Sequence, residues 1–205
     1  MIRAFFPITL LLAVFLNTAS GYPDTVMINP GDDIQSIINR AKPEDEITFQ
    51  EGQYVIHRGI VIKNKINVRI KSNGAVRIVS TDVNNPIVSI LNCSQVIFQE
   101  MELKYQTTSA MKKVNTIDIK NGLRVGIISC DISTGLNGIS AVNSRLIALI
   151  QNNIHHNNKA GITLLNIRGA LLQNNTVSEN RIGLVKTNVT ELEMKNNDIR
   201  DNRVR

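Results

Sequence analysis

The chain has 205 residues, a formal net charge of +6 and 4% aromatic residues, with three Tyr, five Phe and no Trp. Its cations are scattered and not grouped around a stacking platform, which argues against a nucleic-acid binder. Two cysteines, Cys93 and Cys130, exclude a disulfide framework, and the basic balance either suits acidic partners such as a uronate polysaccharide or is a solvated surface.

Residues 1–21 read as a signal peptide. Arg3 supplies the positive start, Ala4 to Leu16 the apolar run, and Thr18-Ala-Ser-Gly21 the small residues for cleavage. The run is short for a membrane span. A secreted or periplasmic protein without stable membrane insertion is expected; an uncleaved anchor is the competing reading.

Residues 22–44 predict a short strand at Thr25 to Asn29, then an amphipathic helix. Asp32 or Asp33 can cap that helix and Pro43 stops it, while Ile34, Ile37, Ile38 and Ala41 fall on one stripe. Such a helix can serve as a lid on the open end of a strand array.

Residues 45–205 carry the array. A β-branched residue after a polar bend recurs at Ile132, Ile154, Val177 and Ile199. Glycine keeps step at Gly138, Gly161 and Gly183, giving a period of 22–23 residues. A fixed period of this size, built from strands and turns, predicts a solenoid. A constant step of eight sets the register, from Ile60, Val88, Ile117, Ile139 and Ile162 to Val68, Val96, Val125, Ile147 and Ala170. The same register turns Lys186 inward in the last coil, where it is expected to reach solvent.

The bend after the second strand carries Asn73, then Met101 and Cys130, then Asn152, Asn175 and Asn197. Stacked ~4.8 Å apart, these amides predict a structural ladder. Cys130 is expected to be a buried, inert thiol in the same column. The cysteines fall at opposite ends of a strand, so no bridge is expected.

Outward residues of the first strand form two columns, one with Ser89, Asp118 and Ser140, the other with Lys63, Lys120 and Val142. The neighbouring turns offer Lys104, Lys112, Lys113, His155, His156, Lys159 and Arg181. The longest turn, 104–115, marks this edge as the working one. Sequons occur at Asn92, Asn174 and Asn188.

The pattern Ile34-Gln-x-x-Ile38, then Asp45-x-Ile-x-Phe-x-x-Gly-x-Tyr54, resembles the opening of the pectin-lyase-like family. The Asn-Asn-x-Ile and Gly-Ile coils resemble its repeat-rich carbohydrate-binding and sugar-hydrolase subgroup. The resemblance covers roughly residues 25–205. It implies an all-β fold, a right-handed single-stranded parallel β-helix of about seven coils with a short N-terminal capping helix. It places a saccharide groove on the first sheet and allows calcium as a cofactor, although no cofactor is evident in the residues. Copper-delivery proteins of the same subgroup would show a Met/His/Cys cluster, and Met101 beside Cys130 is too little.

Cleaving a uronate chain by β-elimination, or epimerising it at C5, requires neutralising the carboxylate and removing the C5 proton. Asp118, His155 and His156 are the catalytic candidates. Lys120, Lys112, Lys113, Lys159 and Arg181 are the candidates for holding substrate. The bland alternatives are a solvated Asp118 and a merely polar His155-His156 turn. Adjacent histidines without a third ligand do not make a metal site. The Asp-Asp and Gly-His-Gly signature of polygalacturonases, the Trp-Ile-Asp-His segment of pectate lyases and the Asp-Pro-His segment of mannuronan epimerases are absent. A secreted protein that binds or cleaves acidic polysaccharide, lyase- or epimerase-like if catalytic, is therefore weighed against a non-catalytic glycan- or protein-binding scaffold. The chain stops at Arg205 without an evident cap, so end-to-end self-association or a shortened member of a longer family is expected.

Overall fold

The computed structural model describes residues 24–106 and 114–204. The signal-like segment and the candidates Lys112 and Lys113 lie outside the described residues. Strands rich in Ile, Val and Leu stack in parallel with side chains alternating inward and outward. The chain opens with β1 (Thr25–Ile28), α1 (Ile34–Arg40) and β2 (Glu46–Ile56). Coils then follow as β3 (Ile60–Lys63) and β4 (Ile66–Ser80); β5 (Val88–Leu91), β6 (Ser94–Gln99) and β7 (Met101–Tyr105); β8 (Ile117–Lys120), β9 (Leu123–Ile128) and β10 (Asp131–Ser133). The last are β11 (Ile139–Ile150) and β12 (Asn153–His155), β13 (Ala160–Gln173) and β14 (Thr176–Ser178), β15 (Ile182–Lys195) and β16 (Asp198–Arg200). All strand pairs are parallel, as a coil that always advances one step along the same axis requires. The fold is the parallel β-helix that the repeat predicts.

The register follows the step of eight. Ile60 pairs with Val88, Val88 with Ile117, Ile117 with Ile139 and Ile139 with Ile162 on the first sheet. Val68, Val96, Val125, Ile147 and Ala170 align on the second. Ile78, Leu103, Ile132, Ile154 and Val177 fill the third, all with no exposed surface. Each such buried aliphatic side chain contributes about 1.5–3 kcal/mol. Lys186 keeps its register opposite Leu164 and is exposed, as expected.

Helix α1 lies over the start of the stack. Asp33 caps it, accepting from the Ser36 amide at 3.1 Å, and Ile38 is buried. Gln35 reaches the edge of β3. Its amide donates to the Val61 carbonyl and accepts from the Val61 N–H, each at 2.8 Å. One side chain thus stands in for the peptide group of a missing neighbour strand.

Buried carboxamides tie the later coils together. The Asn175 Oδ1 accepts from the Asn152 N–H and side-chain amide, both at 3.0 Å. Its own amide donates to the Leu149 carbonyl at 2.8 Å and to Asn197 Oδ1 at 2.8 Å. The ladder ends on a main-chain group, where the Cys130 N–H donates to Asn152 Oδ1. Asn73 does not belong to it. The column above Cys130 holds Met101 and Val76, while Asn73 lies on the surface and donates to Gln50 Oε1. The cause is local. β4 runs on past Asn73 through Gly74, beside a register shift at Gln50/Gly52, so the bend comes with extra residues there. Both thiols are free and buried, and burial pushes Cys130 up to about 12.

A second ladder escapes the sequence reading. Asn157, Asn180 and Asn202 repeat the same bonds at the turn after the third strand, with each side chain accepting from the N–H of the coil before. The glycine period follows from what lies beside it. A Cβ on Gly138, Gly161 or Gly183 would overlap the side chain of Ile154, Val177 or Ile199, its nearest neighbour in each case, and would lie 2.9 Å from the ladder amide nitrogen of Asn157, Asn180 or Asn202 respectively. Exposed amides form a third row, Asn64, Asn92 and Asn121, continued by Asn143, Asn166 and Asn188. All six have φ between 49° and 55°, a conformation Asn tolerates better than most residues.

Asn180→Ala strands the Asn157 N–H and the Ile154 carbonyl in the interior, so a loss of about 2–4 kcal/mol in urea unfolding is expected. Gly161→Ala is expected to cost about 1–3 kcal/mol by overpacking against Val177 and the same amide. Asn153→Ala, on the surface, should change stability by about 0.5 kcal/mol or less.

Candidate functional site: a charged groove on the third sheet

The outer face of the third sheet carries a run of alternating charge. Arg77, Glu102, Asp131 and Asn153 stand in one column on successive coils. The next column holds Lys104 opposite Val79, and Ser133, His155 and Ser178 opposite one another. Glu102 is held between two cations, with Arg77 Nε on Oε2 and Lys104 Nζ on Oε1 at 2.8 Å. Asp131 accepts from Asn153 at 2.8 Å and pairs with His155 Nε2 at 3.0 Å.

Beside these charges an open groove of about 770 Å³ runs along the bend between the second and third sheets. Arg77, Glu100, Glu102 and Asp131 line it, with Gln53 and Asn73 as neutral amides. Gly52 and Gly74 also line it and leave the recess free of side chains, both at positive φ (148° and 91°). The surface placement of Asn73 thus puts an amide at the groove wall.

The titrating groups are coupled. Burial raises the Asp131 carboxyl, but hydrogen bonds from His155 and Asn153 and the charges of His155 and Lys104 outweigh it, leaving the group below the usual carboxylate range. Glu102 is likewise pushed up by burial and drawn further down by Lys104 and Arg77. The hydrogen bond to Asp131 raises His155, burial opposes, and the charges of Asp131, Glu179 and Glu102 add to the rise. His155 is thus an imidazolium over a wider pH range than a free histidine.

The sequence candidates separate onto two faces. Asp118 and Lys120 project from the first sheet, where Lys120 Nζ meets Asp118 at 2.9 Å and Asn115 donates to its other oxygen at 2.7 Å. Asp118 is buried, and Asn115 in turn accepts from Asn137. Both oxygens of Asp118 are therefore engaged in holding the turn. Lys159 and Arg181 are exposed on the turns leading into the first sheet, each with its carbonyl bonded to the next coil. His155 ends β12 on the third sheet, and His156 follows at φ 53°. Asp118 and the histidines do not share a strand face. Arg77, Glu102, Asp131 and Glu179 were not among the sequence candidates. Carrying the register one strand past the second bend would have put Arg77, Glu102 and Asp131 in one column.

A family model described as right handed beta helix region matches residues 58–205. A search of curated proteins finds no match. Among solved structures, ORF18 of Geobacillus virus E2 is similar at 17% identity and a TM-score of 0.62, covering 84% of this chain and 41% of that one. Pectate lyase Pel9A is similar at 11% identity and a TM-score of 0.57, covering 78% and 55%. An alginate lyase from Paenibacillus sp. strain FPU-7 follows at 13% identity and a TM-score of 0.50, covering 84% and 65%. At these identities the likeness is one of fold, and this chain spans about half the length of the first two.

The Asp131–His155 pair gives a pH window with a defined sign. The lowered Asp131 contributes stability above about pH 4, which is lost as pH falls through its folded value. The raised His155 contributes stability below about pH 6.5, which is lost as pH rises through its folded value. Asp131→Asn should therefore lower the unfolding free energy read from urea titration most between about pH 4 and 6.5, by about 1 kcal/mol or less given the solvent access of both groups. The difference should shrink on either side.

Proposed function

The chain belongs to the right-handed β-helix family, and on that premise we propose that it is a secreted or periplasmic protein that binds an acidic polysaccharide along its third sheet, in the groove beside Asp131. The observation that carries this reading is the row of cations on the outer face of the third sheet, of which Arg77 lines the groove itself. Arg77 lies on one coil, Lys104 on the next and His155 two coils further, spaced by ~4.8 Å per coil. A linear polyanion laid along the helix axis meets these cations in turn. Glu102 and Asp131 hold these cations in place, and with Glu100 they set three carboxylates beside Arg77 in the groove lining. A uronate carboxylate would compete for the same guanidinium and ammonium donors. The fold likeness to pectate and alginate lyases supports a polysaccharide partner. Among the described residues no helix is long and apolar enough to cross a membrane.

Elimination or C5 epimerisation is the chemistry these residues support. Arg77 and Lys104 would neutralise the uronate carboxylate, which acidifies the C5 proton. The C5 proton would pass to neutral His155 once a ring nitrogen is released from Asp131 or His156, and water then protonates the departing C4 oxygen in elimination or the opposite face of C5 in epimerisation. Turnover would thus rise with pH through the His155 titration while binding is tightest below it. Calcium does not suit the groove. Glu102 and Asp131 already face Arg77, Lys104 and His155, and among the described residues no three His, Cys, Asp or Glu side chains converge.

The test is titration of alginate and polygalacturonate against the protein at low salt, with ultraviolet detection of unsaturated product and deuterium exchange at C5. Binding that weakens about tenfold in Arg77→Ala and falls steeply with salt is expected. Retained binding without product or exchange identifies a non-catalytic glycan-binding scaffold. Failure of the wild-type chain to bind either polymer, or unchanged binding by Arg77→Ala, rejects the groove as the site.

A further inference from the structure

Behind the groove the polar contacts continue outward, two of them hydrogen bonds and the third an ion pair. His155 Nε2 meets Asp131 at 3.0 Å, His155 Nδ1 meets His156 Nδ1 at 2.7 Å, and His156 Nε2 meets Glu179 at 2.8 Å. The three contacts span three coils, from Asp131 through the two histidines to Glu179. The rings lie edge to face, 84° apart.

Counting protons fixes the charge state. A carboxylate accepts, so the nitrogen facing it must carry hydrogen. That places a proton on His155 Nε2 and another on His156 Nε2. Between the rings two Nδ1 atoms face each other, and a hydrogen bond there needs one proton, neither two nor none. The row is complete with three ring protons on four nitrogens, which makes one of the two histidines an imidazolium.

We propose that His156 and Glu179 are positioning residues that keep His155 protonated opposite Asp131 by offering it an acceptor at Nδ1. Glu179 fixes the tautomer of His156, because only with hydrogen on Nε2 is the His156 Nδ1 lone pair free. This rests on the groove reading for its role in catalysis or binding but not for its test. Other charges facing His155 are few. Glu102 and Lys104 stand on β7, Asp131 on β10 and Glu179 after β14. Arg200, on β16, is engaged with Asp198 and Asp201. Removing a proton sets two lone pairs against each other at 2.7 Å, and adding one sets two N–H groups together. In either state the rings part, so the contact survives only inside a bounded pH range.

The experiment is a histidine ring nitrogen and proton NMR titration of the glycan-free protein. The chain has three histidines, so the ring signals can be assigned by single substitution. In the wild type, His155 should titrate above the ordinary histidine value, with hydrogen on both ring nitrogens below the transition. His156→Ala should lower the His155 midpoint by about one pH unit, a tenfold change in its protonation equilibrium. His156→Asn should restore much of it, because Oδ1 can accept from Nδ1–H and Asn tolerates the positive φ. Glu179→Gln, an exposed change that spares folding, should lower the midpoint by a smaller step. A purely structural role would leave the midpoint unmoved in all three variants. A His155 midpoint at the ordinary histidine value, or no shift in both His156→Ala and Glu179→Gln, overturns the proposal, whatever the glycan titrations show.

Discussion

A buried carboxamide needs partners on both sides, and in this protein most of them come from the neighbouring coils. Asn175 accepts from Asn152 above and donates to Asn197 below while also satisfying the Leu149 carbonyl. Each amide is costly alone and favourable in company. The constraint propagates. It fixes the coil length between 152 and 197, and in the second ladder the amides, together with Ile154, Val177 and Ile199, leave no room for a Cβ at 138, 161 and 183. Repetition in the sequence is thus the consequence of a hydrogen-bond inventory that closes only when neighbouring coils match.

The apolar interior is more permissive. Ile147, Ala170 and Val125 occupy one column at very different volumes, and the stack absorbs the differences. That tolerance is why periodicity could be read by counting apolar residues without knowing any contact. Period two and the step of eight placed the first and second sheets. The early coils were harder. Gly52, Gly74 and the extra residues of β4 break the pattern, and Asn73 was assigned to the ladder because a single position after a strand carries no record of which way the chain turns.

The groove was less legible for a related reason. Its charges come from coils 25 and 29 residues apart, from Arg77 to Glu102 and from Glu102 to Asp131, so no local motif links them. His155 and His156 stood out as a pair, yet their partners Asp131 and Glu179 lie on the coils before and after. Asp118 stood out by its place among Ser89 and Ser140, and its carboxylate proves to be bound to Asn115 and Lys120. A carboxylate in an outward column can serve the turn as readily as a ligand, and only the partners of its oxygens separate the two.

The carboxamide columns also bear on how the chain assembles. Coils between Asn152 and Asn202 pair residues 22 or 23 apart, whereas Ser89 and Asp118 are 29 apart. The difference in closure entropy is only about 0.2 kcal/mol, too small to order the steps. The amide bonds distinguish the two halves instead. Two columns of mutually dependent donors and acceptors give the coils from 139 to 202 bonds that exist only once neighbouring coils are in register. A one-dimensional array can nucleate anywhere and grow coil by coil. At the other end Gln35 can close the edge of β3 only after that strand has formed.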